Sequence, residues 1–237
     1  MRLSIIIPNF NSGDLLRDSL ISISKLSSKV DLDIIIVDNN SSDNPSNIIE
    51  DFSHLHIIFV SEVDRGIYDA MNKGLDFASG TWVYFLGSGD IIKFKNFSKS
   101  LFFGEYDYFY GKIYDCEKSS VIGNRVNLFH LFRYGICHQS IFYKKSIFDY
   151  YRYDLEYPIQ ADLVMNIFLF SSIKFKGMFV DVILCDYLGR GISSKFRDEK
   201  FRKGKIYLLG LNLFKNFTFL NFLYSINYLK FKLFSRF

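Results

Sequence analysis

The chain has 237 residues, 49% apolar and 23% charged, which is enough for one sizeable core and too apolar for a disordered chain. Its net charge of +4 is too small to argue for nucleic acid, and no such partner is expected. Cys116, Cys137 and Cys185 are widely spaced and form no CxxC pair, so neither a disulfide framework nor a zinc site is indicated. The opening MRLSIIIP lacks the long apolar stretch of a secretory signal, and a cytoplasmic protein is expected.

Residues 3–7, apolar but for Ser4, form a run closed by Pro8, the pattern of a strand buried on both faces. After the loop around Phe10, Ser12 is placed to cap a helix running to about residue 25, with Leu15, Leu16, Leu20 and Ile23 on its inner face. Residues 34–37 predict a second buried strand that runs into Asp38 and an Asn/Ser-rich loop. A short helix over 45–52 and a third strand over 56–60 come next. Gly66 opens a helix in which Ile67, Ala70, Met71, Gly74, Leu75 and Ala78 recur at i, i+3, i+4 spacing, and Ser79-Gly80 close it. Residues 81–86 predict a fourth strand, which ends at Gly87-Ser88-Gly89-Asp90.

Strands and helices alternating at this spacing predict βαβ units, a mostly parallel sheet and right-handed crossovers. Residues 8–10, 38–40, 61–65 and 87–90 then lie together beyond the carboxyl ends of the strands, the edge at which open α/β sheets bind ligands. Two carboxylates (Asp38, Asp90), a cation (Arg65) and an aromatic (Phe10) converge there. Neither GxGxxG nor GxxxxGK[ST] occurs, which excludes the usual dinucleotide and P-loop readings.

The second half predicts strands over 106–114 and 136–143, a helix over 163–170 preceded by PIQAD, and a pair of strands over 174–180 and 182–188 leading to a glycine-rich loop at 189–193. With no linker-like stretch or repeat, one domain over 1–195 and a helical tail over 196–237 are expected.

Taken in order, SIIIPNFN, IIIVDNNSSDN, SEVDRGIYDAMNKG, GTWVYFLGSGD, ICHQSIFY and IQADL resemble the family 2 glycosyltransferases of the GT-A fold, and in particular small bacterial enzymes of surface-polysaccharide synthesis. The resemblance implies inverting transfer of a sugar from a nucleoside-diphosphate donor, UDP being favoured, to a saccharide or lipid-linked acceptor. It places Pro8 and Phe10 beside the nucleobase and Asp38 on the base or ribose, where a plain turn residue is the alternative. It places Arg65 beside the diphosphate; Lys73 could act similarly or simply face solvent. Ser88 is placed against the substrate and Asp90 matches the last acid of the metal motif, implying Mg²⁺ or Mn²⁺, but Gly87 and Gly89 stand where acids are common, so a weak single-carboxylate site is expected. Asp162 matches the catalytic base, with a helix cap as its alternative. His138 and Gln139 match a polar pair in the cleft wall, and Arg190 is placed near the diphosphate.

Residues 201–237 hold eleven Phe/Tyr and seven Lys/Arg with no acid. That composition suits a helix lying at the inner face of the membrane, or helices packing on the domain or on a second copy in a homodimer. A scaffold that keeps the fold without activity and a sugar nucleotidyltransferase are the rival functions. Retained Asp38, Asp90 and Asp162 oppose the first, and the absence of a glycine- and arginine-rich signature after the first strand opposes the second.

Overall fold

A computed structural model describes residues 2–27, 30–93, 99–127, 130–131, 134–189, 198–199 and 201. Arg190 and residues 202–237, with the expectations made for them, lie outside the described residues. The elements run β1 (Arg2–Asn9), α1 (Gly13–Ser27), β2 (Asp31–Asp38), α2 (Pro45–Glu50), β3 (Ile57–Ser61), α3 (Ile67–Phe77), β4 (Trp82–Phe85), β5 (Ile91–Ile92), β6 (Tyr108–Asp115), β7 (Ser120–Ile122), β8 (Ile141–Lys144), α4 (Ala161–Ser171) and β9 (Gly177–Tyr187).

One sheet has the order β3-β2-β1-β4-β8-β6-β9-β5, with β7 added to β6. The first four strands are parallel, as the βαβ spacing predicts. Beyond β4 the sheet is mixed: β8 runs antiparallel to both β4 and β6, whereas β6 and β9 are parallel. The centre of β1, Ile5 to Ile7, is apolar because both its faces are covered. Leu3, Ile5 and Ile7 pack with Leu16, Leu20 and Ile23 of α1, while Ile6 packs with Ala70, Met71 and Leu75 of α3.

The second half departs from expectation in two places. Residues 174–188 hold one long strand rather than two, because Asp181 pairs with Lys112 across the ladder and the irregularity near Gly111 is absorbed as a bulge. The predicted strand over 136–143 begins only at Ile141. His138–Ser140 is a 3₁₀ turn, anchored by the Tyr84 hydroxyl, which donates to the Gln139 carbonyl at 2.7 Å. That turn carries the candidate residues His138 and Gln139, so its position matters more than its length.

The described residues of the expected tail do not stand apart from the domain. Phe201 is buried against Leu131, Leu163, Val164 and Ile167. Among the described residues no helix is long and apolar enough to cross a membrane.

Candidate active site

The parallel register sets Asn9 beside Asp38 and Asp38 beside Ser61, so three strand ends finish level with one another. Asp38 ties them together. Its carboxylate accepts Asn9 Nδ2 at 2.8 Å, the Ser41 amide at 2.9 Å, Ser61 Oγ at 2.9 Å and the Ser41 hydroxyl. Burial alone would push this carboxyl up, but the donors from Ser41, Asn9 and Ser61 outweigh it and hold the group below its ordinary value. Asn9 extends the network, because its Oδ1 accepts Ser88 Oγ at 2.9 Å; the same hydroxyl lies 3.3 Å from the Pro8 carbonyl.

The Asn-rich loops follow from backbone geometry. Asn11, Asn40 and Asn44 adopt left-handed conformations, with φ of 45°, 48° and 51°, which asparagine tolerates better than most residues. Asn11 Oδ1 in turn accepts the Ser42 amide at 2.9 Å, joining the first loop to the second. Ser12 does not cap α1 with its hydroxyl, which donates to the Phe10 carbonyl. Asp43 Oδ2 accepts the Gly13 amide instead. Phe10 stands out from this unit with 58% of its surface exposed.

The two predicted cations differ. Lys73 does not face solvent freely. Its Nζ donates to the Val63 carbonyl at 2.7 Å and pairs with Glu62 at 2.8 Å, fastening the loop between β3 and α3. Arg65 has 76% of its side chain exposed and touches Asp69 Oδ1 at 3.5 Å.

Asp90 is buried, and both its oxygens are engaged. Oδ2 accepts Gln139 Nε2 at 2.7 Å and Oδ1 accepts the Leu188 amide at 2.9 Å. Burial raises its carboxyl above the ordinary value, against the pull of those two donors. The glycines of the turn are a consequence. A Cβ on Gly87 would lie 2.6 Å from Asp90 Oδ2, and Gly89 combines φ of +96° with close contacts to Leu188 and Leu15. An acid at position 87 is incompatible with the inward-folded Asp90. Ser19 of α1 supports the turn by accepting the Gly89 amide and donating to the Asp90 carbonyl, both at 2.9 Å.

Asp162 lies in the first turn of α4, one residue beyond the start of the helix, and is not its N-cap. Its Oδ1 accepts Tyr68 Oη at 2.7 Å and the Leu163 amide at 2.8 Å, leaving Oδ2 facing His138 Nδ1 at 3.4 Å. The turn at 138–139 therefore addresses both acids through consecutive side chains, His138 toward Asp162 and Gln139 toward Asp90. Gln139 is itself oriented by the Cys137 thiol, which donates to its Oε1. Among the described residues, His138 Nε2 is buried without a hydrogen-bond partner.

Tyr68 was not identifiable as a site residue from the sequence. The helical periodicity runs through Ile67, Ala70 and Met71 and passes over it, and only a fold that sets α3 beside α4 brings its hydroxyl to Asp162. Burial, with the neighbouring Asp162 charge, raises the phenol well above its ordinary value, so it stays a donor. Tyr68→Phe is expected to lower kcat about tenfold, the worth of one hydrogen bond to a charged group, and to leave donor affinity unchanged. Steady-state kinetics beside calorimetric donor binding checks this; equal losses in both would place Tyr68 elsewhere in the mechanism.

The sequence profile described as glycosyl transferase family 2 matches residues 4–174. The chain belongs to this family. The PGL/p-HBAD biosynthesis glycosyltransferase of Mycobacterium bovis (strain BCG / Pasteur 1173P2) is 33% identical over 212 residues, covering 84% of this chain and 82% of the relative. A shorter match, 36% over 93 residues, links 38% of the chain to 30% of the GalNAc(5)-diNAcBac-PP-undecaprenol beta-1,3-glucosyltransferase of Campylobacter jejuni. The fold is that of the GT-A glycosyltransferases. S. aureus TarS 1-349 in complex with UDP superposes with a TM-score of 0.72 at 16% identity, over 90% of this chain and 66% of that one. Glucosyl-3-phosphoglycerate synthase from Mycobacterium tuberculosis, in complex with Mn²⁺, UDP and phosphoglyceric acid, gives 0.56 at 17% identity over 89% and 78%. This family 2 chain is thus a glycosyltransferase with relatives in bacterial glycan synthesis.

Among the described residues no group of three or more His, Cys, Asp or Glu is placed to hold a metal ion. Asp90 is the one acid of its turn. A divalent cation there would take Asp90 as its protein ligand in competition with two neutral donors and would draw its other ligands from substrate phosphates, which suits the hard oxygen chemistry of Mg²⁺ or Mn²⁺.

Proposed function

We propose that the chain is an inverting transferase that moves a sugar from a nucleoside-diphosphate donor, with UDP the favoured nucleotide, to a hydroxyl of a saccharide or lipid-linked acceptor in bacterial surface-glycan synthesis. The observation that carries this reading is the single turn at 138–139 that addresses both Asp90 and Asp162, at the sheet edge where Asp38 binds three strand ends together. The UDP in the TarS structure and the undecaprenol-linked glycan in the name of the C. jejuni relative are consistent with it.

Each residue then has a chemical task. The exposed Phe10 ring offers a face to the nucleobase, a stacking contact worth about 1–3 kcal/mol. The Asp38 network, including Pro8, Asn9 and Ser88, gives the base and ribose a rigid floor. Arg65, with an open guanidinium, takes phosphate oxygens in a forked pair of hydrogen bonds. Asp90 would hold a divalent cation, which when bound would supply positive charge to the diphosphate leaving group. Asp162 Oδ2, the oxygen not engaged by Tyr68 and Leu163, accepts the proton of the acceptor hydroxyl as that oxygen bonds to the anomeric carbon and the bond from the anomeric carbon to the phosphate oxygen breaks.

Calorimetric titration with UDP-, GDP-, CMP- and dTDP-sugars, with and without Mn²⁺, tests the donor site. One nucleotide class should bind in the micromolar range and gain affinity with Mn²⁺, and Asp90→Ala should abolish that gain. A folded chain that binds none of the panel defeats the proposal, and an Asp90→Ala protein with an unchanged Mn²⁺ response removes Asp90 from the metal site.

A further inference from the structure

The chain leaves β9 by donating the Leu188 amide to Asp90 and returns at Asp198, which is buried against the start of α4. Asp198 Oδ2 accepts two consecutive backbone amides, Ile159 at 3.1 Å and Gln160 at 2.7 Å. Gln160, the N-cap residue of α4, makes no side-chain capping bond with its own helix. Its Oε1 instead accepts the Asp198 amide at 3.2 Å. The two residues hold each other reciprocally, as in a capping box, but across 38 positions of sequence.

The same stretch of backbone is held from its other side. The Tyr68 hydroxyl lies 2.9 Å from the Ile159 carbonyl and 2.7 Å from Asp162 Oδ1. Asp198 on the amides, with the single Tyr68 hydroxyl proton shared between the Ile159 carbonyl and Asp162, therefore holds the residues that precede the helix turn bearing Asp162. Phe201, three residues further on, packs against Leu163 and Val164 of that helix. A residue from beyond β9 thus holds the backbone from which α4 starts.

We infer that Asp198 is a positioning residue for the catalytic base, an acid supplied from beyond β9 that caps α4 from outside the helix and orients Asp162. The inference rests on the transferase reading above. If Asp198 only stabilised the fold, its removal would weaken donor binding, melting temperature and turnover together. If it positions Asp162, turnover falls while the donor site around Asp38, held by β1, β2 and β3, is untouched.

The experiment uses the full chain with Asp198→Ala and Asp198→Asn, reading kcat at saturating donor, donor affinity by calorimetry, melting temperature, and amide hydrogen exchange over residues 158–164. Asp198→Ala is expected to speed exchange at Ile159 and Gln160 and to lower kcat about tenfold, the loss of the acceptor shared by two backbone amides, with donor affinity within about twofold of the parent. Asp198→Asn keeps an acceptor oxygen for the two amides and is expected to recover most of the rate. Wild-type kcat in Asp198→Ala overturns the inference while leaving the proposed function standing. So does a parallel loss of kcat, donor affinity and melting temperature. A wild-type chain inactive with every donor defeats the proposed function and this inference together.

Discussion

Asp162→Asn is expected to lower transfer by about 10²- to 10⁴-fold, the usual contribution of a positioned general base, while donor affinity changes by less than about threefold. The substitution is nearly isosteric. An asparagine carbonyl oxygen can still accept Tyr68 Oη and the Leu163 amide, the two contacts now made to Oδ1. Its amide nitrogen then stands in place of Oδ2, opposite His138, and cannot accept a proton. Fold and donor site therefore survive while the one chemical capacity is lost. Single-turnover kinetics with saturating donor, set beside calorimetry, makes the distinction. Loss of donor binding in parallel with rate would mean that Asp162 holds the donor and that the base lies elsewhere.

Asp38→Ala is the second large effect, and it acts through architecture. The variant leaves Asn9 Nδ2, the Ser41 amide and hydroxyl, and Ser61 Oγ without their shared acceptor. Buried donors left unpaired cost about 1–3 kcal/mol each, and partial rehydration at the loop brings the expected total to about 2–4 kcal/mol. In a chain of this size that corresponds to a fall of roughly 5–15 °C in melting temperature. On the proposed function, donor affinity should also fall at least about tenfold, because the network proposed as the nucleotide floor comes apart. The pH dependence has a definite sign. The folded-state carboxyl is held below its ordinary value of 3.8, so its stabilisation is full at neutral pH and is lost as pH falls through that lowered value. The gap in melting temperature between parent and variant should therefore narrow below about pH 4. A gap constant from pH 7 to pH 3 would show that the stabilisation does not come from the ionised carboxylate.

These two acids do different work although both lie at one sheet edge. Asp38 is saturated with donors and serves as a brace. Asp162 keeps one oxygen clear of backbone and hydroxyl donors and faces an imidazole. Asp90 is intermediate, engaged by a neutral amide side chain and a backbone amide, with burial raising its carboxyl. A cation bound there would compete only with neutral donors, whereas at Asp38 it would have to dismantle the join between three strands.

Local pattern alone determined much of this protein. The apolar runs at β1 and β2, the helical periodicity after Gly66 and the turn at Gly87 to Asp90 dictated a parallel βαβ sheet. From that topology the convergence of Phe10, Asp38, Arg65 and Asp90 follows, because parallel strands must put their carboxyl ends on one edge. Only the tertiary structure decided how the side chains are used. Lys73 is turned into a loop by Val63 and Glu62, and Gly87 is required by the inward fold of Asp90, neither of which any spacing rule encodes. Tyr68 and Asp198 reach the start of α4 across 94 and 38 positions of sequence. Periodicity reports which face of an element is buried, over a window of a few turns. The partner that a polar atom finds at that face is set by elements far along the chain, and it is known only once they have packed.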